Sequence, residues 1–198
     1  MSLKDIVNSI CIEVKNRDSK KVDELLYQLC DFENLKILDI YPYQIESNEK
    51  FSQVEVFFDK LEIIDFEQKT QDFYSYLKSL EKFKKFFEMI WLGSTEFYAF
   101  YDLPDTLYKD EMYYKFYERE WNKIIPKDRE ELNLIKIDDY SMLISLIKLA
   151  VSDHLDLFFI IPEENIVFRG NGLAFILYSE QNLDLFEKIA NTEGLYIR

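Results

Sequence analysis

Apolar positions along this 198-residue chain follow two rhythms, one helical and one alternating, which succeed each other from end to end. Leu3, Ile6, Val7, Ile10, Cys11 and Val14 form one stripe of a first helix. Ser2, with Asp5 three residues on, supplies a reciprocal N-terminal cap. Asp18 or Ser19 opens a second helix whose core face is Val22, Leu25, Leu26, Leu29 and Cys30. So short a link predicts an antiparallel helical pair.

Between positions 38 and 64 the rhythm changes. Leu38, Ile40, Val54, Val56 and Phe58 alternate as in half-buried strands, and Pro42 confines the first strand to an edge or ends it. A helix through Phe51, Val54, Phe57, Phe58 and Leu61 competes for the same stretch. Thr70 is then placed to cap a helix carrying Phe73, Leu77, Leu80, Phe83, Phe87, Ile90 and Trp91, with Gly93 as its stop. Its long aromatic stripe makes it the candidate central helix. Residues 97–101 read as a strand closed by Pro104, and 106–123 as an aromatic helix ending before Pro126. Leu132, Leu134, Ile135 and Ile137 make another strand-like run. Asp138 or Asp139 caps a helix bearing Leu143, Leu146, Ile147, Ala150 and Val151.

The last third reads most clearly. Residues 155–161, 165–169 and 173–178 are three short strands, separated by Pro162-Glu163-Glu164 and by Gly170-Asn171-Gly172. Asn171-Gly172 is a hairpin signal, because both residues tolerate positive φ. Links this short make the strands antiparallel. A closing helix carries Leu183, Phe186, Ile189 and Ala190, with Gly194 after it. The expected fold is α+β. It is a single compact domain over 1–198, with an N-terminal helical pair and a C-terminal antiparallel three-stranded meander packed against helices.

Composition narrows the chemistry. Four glycines and one histidine remove most phosphate-cradling loops, zinc centres and histidine-assisted nucleophiles from consideration. Two cysteines on helix faces imply no disulfide framework. No apolar run is long enough to cross a bilayer, and the N-terminus does not resemble a signal peptide, so a cytoplasmic protein is expected. The formal net charge of −14 disfavours nucleic acid and anionic membranes and favours basic partners. The charge is uneven: residues 31–66 hold nine carboxylates against three lysines, whereas residues 67–99 balance five against five. Within the balanced stretch, Lys78, Lys82, Lys84 and Lys85 with Glu81 and Glu88 read as a solvated helix face.

Each candidate site has a plain structural counterpart. His154, between Asp153 and Asp156, has the composition of a general base oriented by a carboxylate, or of a loop residue ending a helix. Glu163-Glu164 and Asp138-Asp139 suit a turn and a helix cap as well as acid/base pairs. Arg169-Gly170-Asn171-Gly172 suits a tight turn better than an anion nest.

The unusual segment spans 97–121, where aromatics interleave with carboxylates. Met112, Tyr113, Phe116, Tyr117 and Trp121 gather on one helix face as core. Tyr98, Tyr101, Asp102, Asp105, Tyr108, Asp110, Glu111, Tyr114 and Glu118 remain as a candidate partner-binding surface, since tyrosine beside acid suits a cationic partner. Small acidic bacterial immunity proteins, which plug the basic active sites of toxin nucleases, have this general character, although no residue motif here identifies such a family. The sequence therefore favours a non-catalytic domain that neutralises a basic protein partner, without cofactor or metal. An enzyme with a carboxylate or His154 pocket and a homo-oligomeric structural or regulatory domain are the alternatives.

Overall fold

Strands built almost wholly from apolar residues are buried on both faces, and this chain covers its sheet with helices on either side. A computed structural model describes residues 2–33, 35–45, 66–102, 115–125 and 134–198, with side chains omitted at 66–72 and 171. In chain order the elements are α1 (Leu3–Asn16), α2 (Ser19–Leu29), β1 (Lys36–Asp39), α3 (Phe66–Gly93), β2 (Tyr98–Asp102), α4 (Glu118–Ile124), β3 (Leu134–Lys136), α5 (Tyr140–Val151), β4 (Asp156–Ile161), β5 (Ile166–Asn171), β6 (Ala174–Tyr178), α6 (Asp184–Thr192) and β7 (Tyr196–Ile197).

The expected three-stranded meander, β4-β5-β6, is the middle of a larger object. The described strands form one seven-stranded sheet in the order β3-β2-β4-β5-β6-β1-β7, and each pairing is antiparallel. β1 joins β6 and β7 joins β1, so a strand that follows the N-terminal helices and the last strand of the chain complete one side of the sheet. α+β is the correct class; the strand count is corrected from three to seven. Short local links announced the meander, whereas the added strands pair across long sequence separations that no local pattern reveals.

Alternation sorts side chains between two layers. Leu157, Phe159, Ile161, Phe168, Phe175 and Leu177 face α3, α5 and α6. Phe158, Ile160, Val167 and Tyr178 face the α1–α2 pair. The first layer is strongly aromatic: Phe87 lies 4.8 Å from Phe159 and 4.7 Å from Phe175 between ring centroids, and Phe86 lies 5.8 Å from Phe168. Gly170 lets α5 approach the sheet, since a Cβ there would stand 3.0 Å from Ala150 Cβ.

Several boundaries differ from expectation. α3 begins at Phe66, so Thr70 lies inside the helix rather than at its cap. The hairpin turn is displaced by one residue: Asn171 still pairs with Ala174, and Gly172, at φ 62°, takes the first turn position with Leu173 after it. The expected helix over 106–123 is described only from 115, where it breaks at Tyr117 before α4 starts. Phe116 is consequently half exposed, packing edge-on against Phe73, while Tyr117 and Trp121 are buried as expected. Cys11 is buried but Cys30 is exposed. The strand-or-helix question at residues 51–61 lies outside the described residues.

The caps follow the sequence closely. Ser2 and Asp5 form the reciprocal box, Asp18 caps α2 and Asp139 caps α5. α1 ends on Arg17 in the left-handed region at φ 57°, where its N–H donates to the Val14 carbonyl and the Asp18 N–H to that of Glu13. Glycine takes that backbone conformation without Cβ strain.

Two stability measurements check this packing. Phe87→Ala is expected to lower the free energy of unfolding by about 3–5 kcal/mol, because a ring is lost from the centre of the aromatic layer. Arg17→Gly is expected to raise it by about 0.5–1 kcal/mol by relieving the left-handed strain. Urea titrations followed by circular dichroism read both.

Candidate protein-interaction surface

The sheet register brings two carboxylates together where the strands run out. β2 and β4 are antiparallel, and their pairing places Asp102 directly opposite Asp156. Over this end of the sheet lies α2, whose helical spacing puts Asp23 and Tyr27 one turn apart on the same side. Asp23 is half buried and Tyr27 is 58% exposed.

Electrostatics tie these groups into one cluster. Partial burial raises the Asp23 carboxyl above the usual aspartate value, and the charges of Asp102 and Glu24 raise it further. Asp23 is also the foremost influence lifting the Tyr27 hydroxyl, followed by burial and then Asp102 and Asp156. Like charges set close together disfavour ionisation, and an added cation would relieve them.

One of the three carboxylates is already answered. Arg169 on β5 grips Asp156 with two hydrogen bonds, Nε to Oδ1 at 3.1 Å and Nη2 to Oδ2 at 2.9 Å. Its guanidinium also lies 5.3 Å from the Phe158 ring centroid and donates from Nη1 to Cys30 Sγ at 3.0 Å. Among the described residues no lysine or arginine forms an ion pair with Asp23 or Asp102. The result is an anionic surface: exposed Asp102 and half-buried Asp23 stand near the exposed Tyr27 phenol, with Asp156 held by Arg169.

The expected site is thus redistributed. Asp102 and Asp156 come together, although they were assigned to different candidate sites. Tyr98 and Tyr101 do not reach the surface. They alternate on a strand covered on both sides, Tyr98 beneath α1–α2 and Tyr101 in the α3 layer. The Tyr101 hydroxyl donates to the Ile124 carbonyl at 2.9 Å, and burial pushes it up to about 12. Glu118 is exposed in the first turn of α4. Asp105, Tyr108, Asp110, Glu111 and Tyr114 lie outside the described residues.

His154 and Asp153 have a backbone role. Asp153 occupies the left-handed position after α5 at φ 62°, its N–H donating to the Ala150 carbonyl and that of His154 to the Leu149 carbonyl. This crossed pair of bonds ends the helix, as the loop-residue reading expects. Glu163 accepts from the Thr95 N–H at 2.7 Å, and hydrogen bonds from Ser141 hold the Asp139 carboxyl below the usual range. Glu163 and Asp139, one member of each acidic doublet, therefore make structural hydrogen bonds.

Two surface hollows have described linings. One, of about 290 Å³, runs between α3 and α6 beside Tyr74, Leu77, Lys78 and Glu193. The other, of about 170 Å³, is lined by Lys4, Val7, Asn165, Glu180 and Gln181. Neither contains His154 or the acidic cluster. Among the described residues no three His, Cys, Asp or Glu side chains converge to hold a metal ion, and no helix is long and apolar enough to cross a membrane.

Sequence reasoning missed Asp23 and Tyr27, and it weighed Arg169 only within the 169–172 turn, not as the partner of Asp156. Arg169 did carry a signal: a cation within the apolar run of β5 calls for a carboxylate on the neighbouring strand. Asp23 and Tyr27 carried only their four-residue spacing. No family model, curated protein or solved structure matches this chain.

A pH series tests the cluster. Because the folded state raises the Asp23 pKa, its ionisation opposes folding: its contribution is most favourable at low pH and is lost as pH rises through the folded value. Asp23→Asn is therefore expected to raise the thermal midpoint at pH 7, with the gain vanishing near pH 3. An equal gain at both pH values would contradict the assignment.

Proposed function

We propose that this protein is a small acidic binding domain that neutralises a basic protein partner in the cytoplasm, in the manner of an immunity or antitoxin protein. The observation carrying this reading is the juxtaposition of Asp23 and Asp102 beside exposed Tyr27, with Asp156 opposite Asp102 held by Arg169. The net charge of −14 steers a cationic partner toward the molecule before any contact forms. On arrival, a lysine or arginine of the partner enters between Asp23 and Asp102 and replaces repulsion by pairing. Tyr27 supplies a flat apolar area with a polar tip, suited to stacking on a guanidinium or an alkyl stem. The carboxylates then occupy the place that substrate phosphates would take in a basic nuclease site.

Rigidity favours this role. The carboxylates stand on two paired strands and a capped helix, so little side-chain order is lost on binding. An Asp23 charge that opposes folding also fits a residue used for binding rather than for stability.

Immobilised protein incubated with source-cell lysate tests the proposal. A basic protein should be retained at low salt and released at about 0.5 M salt, where the Debye length falls to a few ångströms. Asp23→Asn/Asp102→Asn should weaken capture of that protein at least about tenfold. Failure to retain any basic protein at low salt, or undiminished capture by the double variant, would count decisively against it.

A further inference from the structure

The hollow between α3 and α6 shares no residue with the acidic cluster, and we infer that it binds a small molecule joining a planar ring to a phosphate, the class of the nucleoside monophosphates. Its volume is about 290 Å³, close to the lower end of the usual range for ligand pockets. Tyr74, Lys78, Lys82 and Lys85 line it from α3, and Glu193 lines it from the end of α6. At about 100° per residue, these four α3 positions fall within about 80° of arc, so the ring and the ammonium groups share one side of the helix.

Charge in the hollow identifies the phosphate. Its two carboxylates are already engaged: Glu81 pairs with Lys84, and Glu193 lies 3.8 Å from Lys85. Among the described residues Lys78 and Lys82 form no ion pair, and Lys82 donates instead to the neutral carbonyl of Gly194 at 3.0 Å. Two positive charges thus stand without an ion-paired carboxylate in a protein whose net charge is −14. A phosphate monoester, at about −1.5 to −2 charges near pH 7, matches them. An ammonium has three N–H donors, so Lys82 keeps two for a ligand while the Gly194 carbonyl holds it in place. Lys78 and Lys82 are one turn apart, about 6 Å along the axis, and their flexible stems let both reach one phosphate.

Tyr74 calls for the ring. It is 60% exposed, and half-buried Leu77 lies beside it in the lining. A base stacks readily on such an exposed aromatic face. Tyr74 precedes Lys78 by one turn and Lys82 by about 12 Å along the axis, so ring and phosphate sites are separated by about the reach of one nucleotide. A nucleic-acid strand fits poorly, because its further phosphates would meet the acidic remainder of the molecule. For a single small anion at physiological salt, charges beyond about 8 Å are screened, and the two adjacent ammonium groups dominate.

Isothermal titration calorimetry of the full chain at about 0.15 M salt reads the result. The probes are the adenosine, guanosine, cytidine and uridine monophosphates, their nucleosides, inorganic phosphate and a short single-stranded RNA. At least one monophosphate should bind with a dissociation constant below about 1 mM, and its nucleoside and inorganic phosphate at least about tenfold more weakly. Lys78→Gln/Lys82→Gln should weaken that monophosphate at least about tenfold, whereas Lys20→Gln/Lys115→Gln, outside the hollow, should leave it unchanged. Tyr74→Ala should weaken the monophosphate and spare inorganic phosphate. Circular dichroism melts check folding, and Lys78→Gln alone replaces the double variant if that fails to fold. No binding of any monophosphate at about 5 mM would overturn the inference. So would equal affinity for inorganic phosphate, affinity indifferent to Lys78 and Lys82, or tighter binding of the RNA.

Discussion

Everything in this molecule depends on a sheet that must be covered on both faces. β4 is apolar from Leu157 through Ile161, so neither of its faces can meet water without a large hydrophobic penalty. One face is sealed by the α1–α2 pair, the other by α3 with α5 and α6. The second seal is made largely of rings: Phe83, Phe86 and Phe87 from α3 against Phe159, Phe168 and Phe175 from the strands. Rings of this size, packed edge to face, combine large buried area with defined geometry. They fix the orientation of α3, and with it which of its residues look outward.

Double coverage also decides where polar chemistry can stand. Side chains in the strand interiors are consumed by the two cores, so charge is confined to strand ends, helix crests and edges. Asp102 and Asp156 sit at such an end, and the same register that packs Phe100 beside Phe158 sets the carboxylates opposite each other. α2, packed with α1 on this face of the sheet, carries Asp23 and Tyr27 close to that end. The acidic cluster thus follows from how the cores close, and Arg169 compensates only Asp156. On the opposite layer, the crest of α3 is the outward counterpart of the aromatic seal.

What could be read beforehand follows the range of the interactions. Caps at Ser2, Asp18 and Asp139, the buried stripes of α1, α2 and α5, and the β4-β5-β6 meander depend on neighbours a few residues apart, and each was visible in the sequence. The full sheet was not, because β1 joins β6 and β2 joins β4 only through distant pairings. Tyr98 and Tyr101 looked like surface residues because tyrosine suits an interface. Only knowledge that β2 lies inside the sheet shows both faces to be covered. Asp23 and Tyr27 acquire significance solely from the strand ends beneath them, which is tertiary information.

The central claim is that Asp23, Asp102 and Tyr27 form a surface held under like-charge tension that an external cation relieves. The most direct test follows the Asp23 carboxyl carbon by NMR across a pH titration, with and without a lysine-rich peptide. The account predicts a pKa above the usual aspartate value in the free protein and a fall toward or below that value when the peptide binds. An ordinary aspartate pKa that ignores the peptide would contradict it.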